Sequence, residues 1–462
     1  MKGVPLLVMV AAVVSQVPAA ELETSVWQER IDACAKAGGG RVTVSEGTHV
    51  VGQLYLRSNV ELHLEKGASL QGARGLGNYT LHRLPYSEGD WAAVVMGLNV
   101  TNVAITGEGE VFGDGAGFEQ VERMGVCPEG FRPRGIFFSQ AKGIRLEDFT
   151  LRDASCWGIV FKCCEDVVAR RVTVNSHANL NNDGFDIEAR NVLIEDCDVD
   201  SGDDAYCVKS NDPRFTVEDV TVRNCIARSH CNGFKIGTAT HGTVRRVRFE
   251  HCRAEAPRRT YRDLVPMPKD LRKPVIPAGA PWYLFGPGID AICIECVDGG
   301  TVEDVIVDDI ELRGFVVPIF VRGGSRTGRT CGTPPGTAYC FRNVVISNVR
   351  GQAEGTIPST VTGCAKCRPK DVHLENIDIA CFGDDKQGSP FSEPGPEFDG
   401  CYPGSLMFQL LHLPSYGLYV DRWSDVSLKK VRFSLRDGER DGRPAVFCRH
   451  GDTNASEGNR QK

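Results

Sequence analysis

Basic runs are missing from this chain of 462 residues: no stretch of Lys and Arg is longer than two, as at Lys429-Lys430, and 53 basic side chains face 60 acidic ones for a net charge of -7. That balance leaves no electrostatic footprint for a phosphate backbone, so nucleic acid is not an expected partner. Long hydrophobic runs are also missing beyond the N-terminus, where Val4 to Val14 is apolar and is followed by Pro18-Ala19-Ala20. Nothing later approaches the ~20 apolar residues needed to cross a bilayer, so no membrane partner is expected either. The N-terminal pattern reads as a secretory signal over residues 1–19, and the mature protein is expected to be secreted, periplasmic or extracellular. Charged residues make up 24% and hydrophobic ones 41%, which excludes disorder as the main state.

Cysteine is plentiful, at 19. An odd count leaves at least one thiol unpaired within the chain, and a chain of this length does not depend on disulfide staples as small secreted domains do. Cys293/Cys296 and Cys364/Cys367 have the Cys-x-x-Cys spacing of a zinc site. Because Cys293 lies in the strand-like run Ala291-Ile292-Cys293-Ile294, buried thiols or disulfides are the favoured reading.

Amphipathic helix patterns are nearly absent. Thr24 to Ala37 is the one good candidate, stopped by Gly38-Gly39-Gly40. A short pattern recurs instead, apolar-x-apolar-x-x-apolar, at Ile144, Val167, Val192, Val220 and Val247, then at Val305, Val344, Val372 and Val426, with earlier traces at Val60 and Val103. Alternation of period two means strand, and a repeat of roughly 25 residues gives each copy two or three short strands and their turns. The leucine-and-asparagine consensus of leucine-rich repeats is missing. The expected fold is therefore all-β, a parallel β-helix of about ten or eleven coils ~4.8 Å apart, with the helix capping its open end. One domain over residues 20–450 is expected, with Cys197, Cys225 and Cys252 in an inward ladder. Long loops are expected from Arg258 to Pro287 and from Gly383 to Pro403, and a polar tail over residues 451–462.

A second register carries chemistry. Asp183-Gly-Phe-Asp-Ile-Glu188, Asp204-Ala-Tyr-Cys-Val-Lys209, Asn232-Gly-Phe-Lys-Ile-Gly237 and Asp290-Ala-Ile-Cys-Ile-Glu295 align, each with apolar residues two and four places after its first. The apolar pair points inward, so Asp186, Cys207, Lys235 and Cys293 are expected in one exposed row, with Glu188, Lys209 and Glu295 in the next. Asp183, Asp203 and Asp204 then crowd around one point. Like charges so placed call for an ion, a partner or a reaction. A solvated acidic face and a calcium site remain alternatives, while the catalytic reading is glycoside hydrolysis, in which one carboxyl holds a proton and another, ionised, activates water or attacks.

With these segments aligned, the chain resembles the family 28 glycoside hydrolases, the polygalacturonase group of pectin-degrading enzymes. The resemblance rests on Asn182-Asp-Gly-Phe-Asp186, Ser201-Gly-Asp-Asp204, Gly233-Phe-Lys-Ile-Gly237, Val297-Asp-Gly-Gly300 and Leu413-Pro-Ser-Tyr-Gly-Leu-Tyr-Val420, together with Leu62-His-Leu-Glu-Lys-Gly-Ala68. It implies a single-stranded right-handed parallel β-helix and an inverting hydrolase of pectin-type polysaccharides or oligosaccharides, monomeric and without cofactor or metal. By the same resemblance Asp203 is the general acid and Asp183 with Asp204 holds the water, while Asn181 belongs to the Asn-Thr-Asp motif.

Two departures touch the site. The family's Gly-His-Gly is here Cys231-Asn232-Gly233, and its Arg-Ile-Lys is Cys293-Ile294-Glu295. Asn232 can hydrogen-bond but not titrate. Lys235 and Lys209 are the candidates to receive a substrate carboxylate in place of the lost cations, or else to compensate the acids, and Arg322 and Arg326 are further candidates. A polysaccharide lyase on the same fold and an inactive carbohydrate-binding or adhesion protein are the competing functions.

Overall fold

The computed structural model describes residues 22–118, 132–259, 287–326, 339–384, 390–392, 394–400, 404–409 and 411–449. The expected signal, the polar tail and most of the Arg258–Pro287 loop lie outside them. The helix α1 (Thr24–Lys36) buries Trp27 and Ile31 against the first coil and ends before Gly38 and Gly39, both at positive φ. No helix among the described residues is long and apolar enough to cross a membrane.

Beyond it, one 28-stranded sheet winds as a right-handed parallel β-helix. The repeat seen in the sequence is its ladder. The third position of each copy pairs with the next coil through Leu62↔Ile105, Ile105↔Leu146, Leu146↔Ala169, Ala169↔Ile194, Ile194↔Val222 and Val222↔Phe249. It continues through Phe249↔Val307, Val307↔Ile346, Ile346↔Leu374 and Leu374↔Leu428. Each side chain lands on its counterpart one coil away, so a single apolar core runs the length of the stack.

The two non-apolar positions before the last apolar residue of the repeat have a backbone cause. The second of them is left-handed in copy after copy: Asp148, Arg171, Asp196, Asn224, His251, Asp309, Asn348, Asn376 and Lys430, at φ between 52° and 71° with Asp and Asn the commonest. A second left-handed residue precedes the repeat at Asp166, Asn191, Asp219, Arg246, Asp304, Asn343 and Asp371. These residues turn the corners between strands, which Asn and Asp tolerate best after Gly. Lys430 is exposed and lacks that short polar side chain. Lys430→Gly is expected to stabilise the protein by about 0.5–1 kcal/mol, the ~1–2 kcal/mol of relieved left-handed strain less the ~0.5–1 kcal/mol entropic cost of glycine. Urea unfolding of the two proteins measures it.

Cys197, Cys225 and Cys252 form the expected inward ladder: the Cys197 amide donates to Cys225 Sγ and the Cys225 amide to Cys252 Sγ, both at 3.4 Å. The 16 cysteines among the described residues are all free thiols. The Cys293/Cys296 pair does not make a zinc knuckle, and Cys364 and Cys367 are buried in the main core. Cys296 points into the main core while Cys293, three residues earlier, faces a separate outer cluster, as strand alternation requires.

The exposed row needs correcting. Asp186, Cys207, Lys235, Cys293, Glu188, Lys209 and Glu295 face out of the coil but are all buried. Period two assigns a side of the sheet, whereas loops packed over that side decide its exposure. The segment around Phe408 and Leu413, for example, packs over Cys293, Val317 and Phe320.

Candidate active site

Four successive coils hold the site. Phe185, Tyr206 and Phe234 stack inside, with ring centroids 5.7 and 5.5 Å apart and planes within 7° of parallel. This apolar stack fixes the register Phe185↔Tyr206↔Phe234↔Ile292 and hence Asp186↔Cys207↔Lys235↔Cys293. One turn upstream, the Gly184 amide donates to the Asp204 carbonyl and the Ala205 amide to the Asn232 carbonyl, each at 2.8 Å. Asp183, Asp204 and Asn232 are thereby set on neighbouring coils, in the alignment expected from the sequence.

The Gly202-Asp203-Asp204 turn is held from both sides. Ser201 and Ser229, on adjacent coils, each donate a hydroxyl to the Asp203 carbonyl at 2.7 Å. Gly202 is required there, because a Cβ would come within 2.4 Å of Asn182 Oδ1. The Asp204 amide donates to Asp203 Oδ1 at 3.0 Å.

The three aspartates are buried yet differ in their partners. Asp204 accepts from Asn232 Nδ2 at 2.6 Å on Oδ1 and from Lys235 Nζ at 2.9 Å on Oδ2. Burial opposes its ionised form, but the Lys235 and Lys209 charges outweigh burial and hold its pKa below the ordinary value. Asp203 accepts from Asn181 Nδ2 at 3.3 Å on Oδ2 and from the Asp204 amide on Oδ1, and burial together with the Asp204 charge raises its pKa. Asp183 is raised well above the ordinary value by burial and by Asp186 and Asp203, with Lys209 Nζ 3.6 Å from Oδ2. Its Oδ1 has no hydrogen-bond partner among the described residues. Adjacent carboxyls cannot all ionise cheaply, and the neighbours decide which one does.

Asn181, Asn232, Lys235 and Lys209 all lie in this cluster. Both lysines are spent on carboxylates: Lys235 on Asp204, and Lys209 chiefly on Asp186, with Nζ 2.7 Å from Oδ1. That placement favours their compensating role over direct reception of a substrate carboxylate. Arg322 is not brought to the acids. It donates to the Gly363 and Phe398 carbonyls and lies 3.6 Å from Asp399, while Arg326 is bidentate on Asp298.

Other residues join that sequence reasoning gave no role. Arg132 donates to Asn181 Oδ1 at 2.8 Å and so orients the amide that meets Asp203. The Trp157 ring lies 3.7 Å from Lys209 Nζ. Both come from preceding coils, outside the aligned segments, so no periodic signal marked them. Cys231 was legible, since it precedes Asn232 as Asp203 precedes Asp204. Its sulfur and one oxygen each of Asp203 and Asp204 lie within 4.8 Å of one another, the one such group of possible metal ligands among the described residues. Both Asp204 oxygens are already engaged, by Asn232 and Lys235, which does not suit a cation.

Residues 34–256 match the family model for glycosyl hydrolases family 28. A probable polygalacturonase of Vitis vinifera is 26% identical over 203 residues, 41% of each chain, and one of Arabidopsis thaliana is 26% identical over 188 residues, 34% of this chain and 40% of its own. The chain thus matches about two fifths of the length of these curated relatives. Among solved structures, an exopolygalacturonase from Thermotoga maritima superposes with a TM-score of 0.64 over 90% of this chain and 89% of its own at 17% identity. A family 28 exopolygalacturonase of Yersinia enterocolitica gives 0.62 over 94% and 76% at 16% identity. At those identities the two structures speak for the fold, and the matched segment, 34–256, contains all three crowded aspartates. Over residues 34–256, just under half of its length, the chain is similar to glycosyl hydrolase family 28.

Proposed function

We propose that this protein is a secreted, monomeric glycoside hydrolase that cleaves glycosidic bonds of pectin-type, galacturonate-containing polysaccharides or oligosaccharides with inversion. The observation that carries the reading is the division among the buried aspartates, Asp204 held ionised by Lys235 and Asn232 while Asp203 is pushed toward its protonated form. Acid catalysis of glycoside cleavage needs that pair of states in one place.

In this mechanism Asp203 gives its proton to the leaving glycosidic oxygen as the bond to the anomeric carbon breaks. Water held by Asp204 and Asp183 attacks the opposite face and delivers its proton to the Asp204 carboxylate. Asn181, oriented by Arg132, steadies Asp203 Oδ2 without removing its proton. The polygalacturonase names of the relatives support the pectic substrate, and the apolar stretch Val4–Val14 before Ala19 supports export.

Product analysis on pectic oligosaccharides tests the reading. A reducing end carrying oxygen from labelled water, with the anomer inverted in the first NMR spectra, is the expected result. An unsaturated, ultraviolet-absorbing product would establish a lyase instead, and retained anomeric configuration would overturn the inverting assignment.

A further inference from the structure

Arginines on the outside of the stack are commonly paired with a carboxylate one coil away, as Arg171 is with Asp148, Arg246 with Asp219 and Arg432 with Asp378. A cluster near the C-terminal end departs from this. Lys366, Arg368, Lys370 and Arg422 are all exposed, and none has a carboxylate oxygen within 4.0 Å among the described residues. Two turns build the cluster. After the strand Ser359–Thr362, Cys364 and Cys367 point into the core and the Cys364 amide donates to the Cys367 carbonyl at 2.9 Å, which leaves Lys366 and Arg368 facing out. After the strand Leu418–Val420, one coil on, Asp421 accepts from the Gly363 and Trp423 amides at 2.9 Å and from the Ser424 hydroxyl at 3.0 Å. Its charge is thereby tied to the turns and not to the arginines.

Trp423 is half-buried against Gly363, where a Cβ would come within 3.1 Å of Trp423 Cβ. The guanidinium carbons of Arg368 and Arg422 lie 4.5 and 5.1 Å from its ring centre. Cation–π attraction to the indole orders both groups, and neither donates a hydrogen bond to a described residue. An arginine held in this way loses little freedom on taking up a carboxylate, which fits its planar fork in two parallel hydrogen bonds. The cluster is well removed from the aspartates. Pairings from Tyr206 through Phe234, Ile292 and Ile319, and then from Phe320 to Thr360, make four coils, ~19 Å along the axis at ~4.8 Å per coil. It also sits on the turns that follow these strands, whereas Asp183 and Asp204 sit on the turns that precede them.

With the choice of ligand resting on the pectic reading above, we propose that Arg368, Arg422 and Trp423, flanked by Lys366 and Lys370, form a second, non-catalytic site that binds the carboxylates of an acidic polysaccharide and holds the polymer on the enzyme. Fully esterified pectin, whose carboxylates are blocked, is not a ligand for it.

Binding of polygalacturonate to the full chain in an Asp203→Asn background tests this without turnover, with the double variant Arg368→Gln, Arg422→Gln alongside. The double variant is expected to bind the polymer at least about five-fold more weakly, the combined effect of two exposed ion pairs, and the parent's advantage should shrink as salt is raised. On a galacturonate trisaccharide, too short to reach from the aspartates to the cluster, kcat/KM of the same two substitutions in the active enzyme should stay within about two-fold of the parent. Neither arginine makes an ion pair among the described residues, so the melting curve should not move. Unchanged polymer affinity in the double variant, equal affinity of the parent for fully esterified pectin, or an equal loss on the trisaccharide would overturn the inference while leaving the hydrolase reading standing. A parent enzyme that turns over no pectic substrate would overturn that reading instead, and polymer affinity lost in the double variant would still establish the second site.

Discussion

Asp203→Asn is expected to lower kcat on natural pectic substrates by roughly 10²–10⁴-fold, the usual worth of a general acid, with no loss of fold. The amide keeps the shape of the side chain, Ser201 and Ser229 hold the turn through the Asp203 carbonyl, and an amide oxygen can still accept from the Asp204 N–H. What disappears is the proton for the leaving oxygen. A substrate whose leaving group departs without protonation should lose far less, because it never needed that proton. In the parent enzyme Asp203 must be protonated, and its pKa is raised by burial and by the Asp204 charge, so the alkaline limb of the rate profile belongs to it and sits above the ordinary carboxylate range. The acidic limb belongs to Asp204, whose pKa is lowered. The variant should lose the alkaline limb and keep the acidic one. Rates over pH for natural and activated substrates measure both features, and a natural-substrate rate within two-fold of the parent would remove Asp203 from the acid role.

Lys235→Met is expected to destabilise the protein by about 3–5 kcal/mol, because it strips one partner from a buried ion pair and leaves the other uncompensated. Lys235 and Asp204 are both buried, and their contact is 2.9 Å. The loss should depend on pH in a definite direction. In the parent, the lowered folded-state pKa of Asp204 contributes stability above its unfolded value, and this contribution is lost as pH falls through the folded one. Without Lys235, burial and Asp203 act unopposed by that charge and raise the Asp204 pKa, so stability falls as pH rises instead. The gap between variant and parent should therefore be wide near neutrality and narrow near pH 3. Activity should follow, with the acidic limb displaced upward, since Asp204 must ionise to hold the water. Urea titrations at both pH values check the first part, and the same loss at both would refute it. Acidic and neutral substrates of matched structure check the second: equal losses confirm that Lys235 serves Asp204, and a loss confined to acidic substrates would instead place it on the substrate.

The stack of coils was legible because it is written locally. A strand with period two, a left-handed corner such as Asn191 or Asp196 and a repeat of near-constant length need only neighbouring residues to be recognised. The same alignment placed Asp183, Asp204, Asn232 and Asp290 on consecutive coils, since one ladder fixes the rest, and the Phe185, Tyr206 and Phe234 stack made the register unambiguous. Arg132 and Trp157 were not legible, for they reach the site from coils whose outward residues follow no shared pattern. Arg322 does not join the aspartates for a related reason: register put it in line with Glu295, but its guanidinium turns to the carbonyls of Gly363 and Phe398.

By itself, then, the sequence determined the all-β coil, its capping helix, the inward cysteine ladder and the crowding of three aspartates, all consequences of periodicity along one chain. Only the tertiary structure decided that the outward row is buried, that Lys235 and Lys209 are committed to carboxylates, and that Asp204 ionises while Asp203 is driven toward its protonated form. Those outcomes depend on desolvation and on which charge lies within 3–4 Å of which, and both are set by segments distant in sequence that the fold brings together.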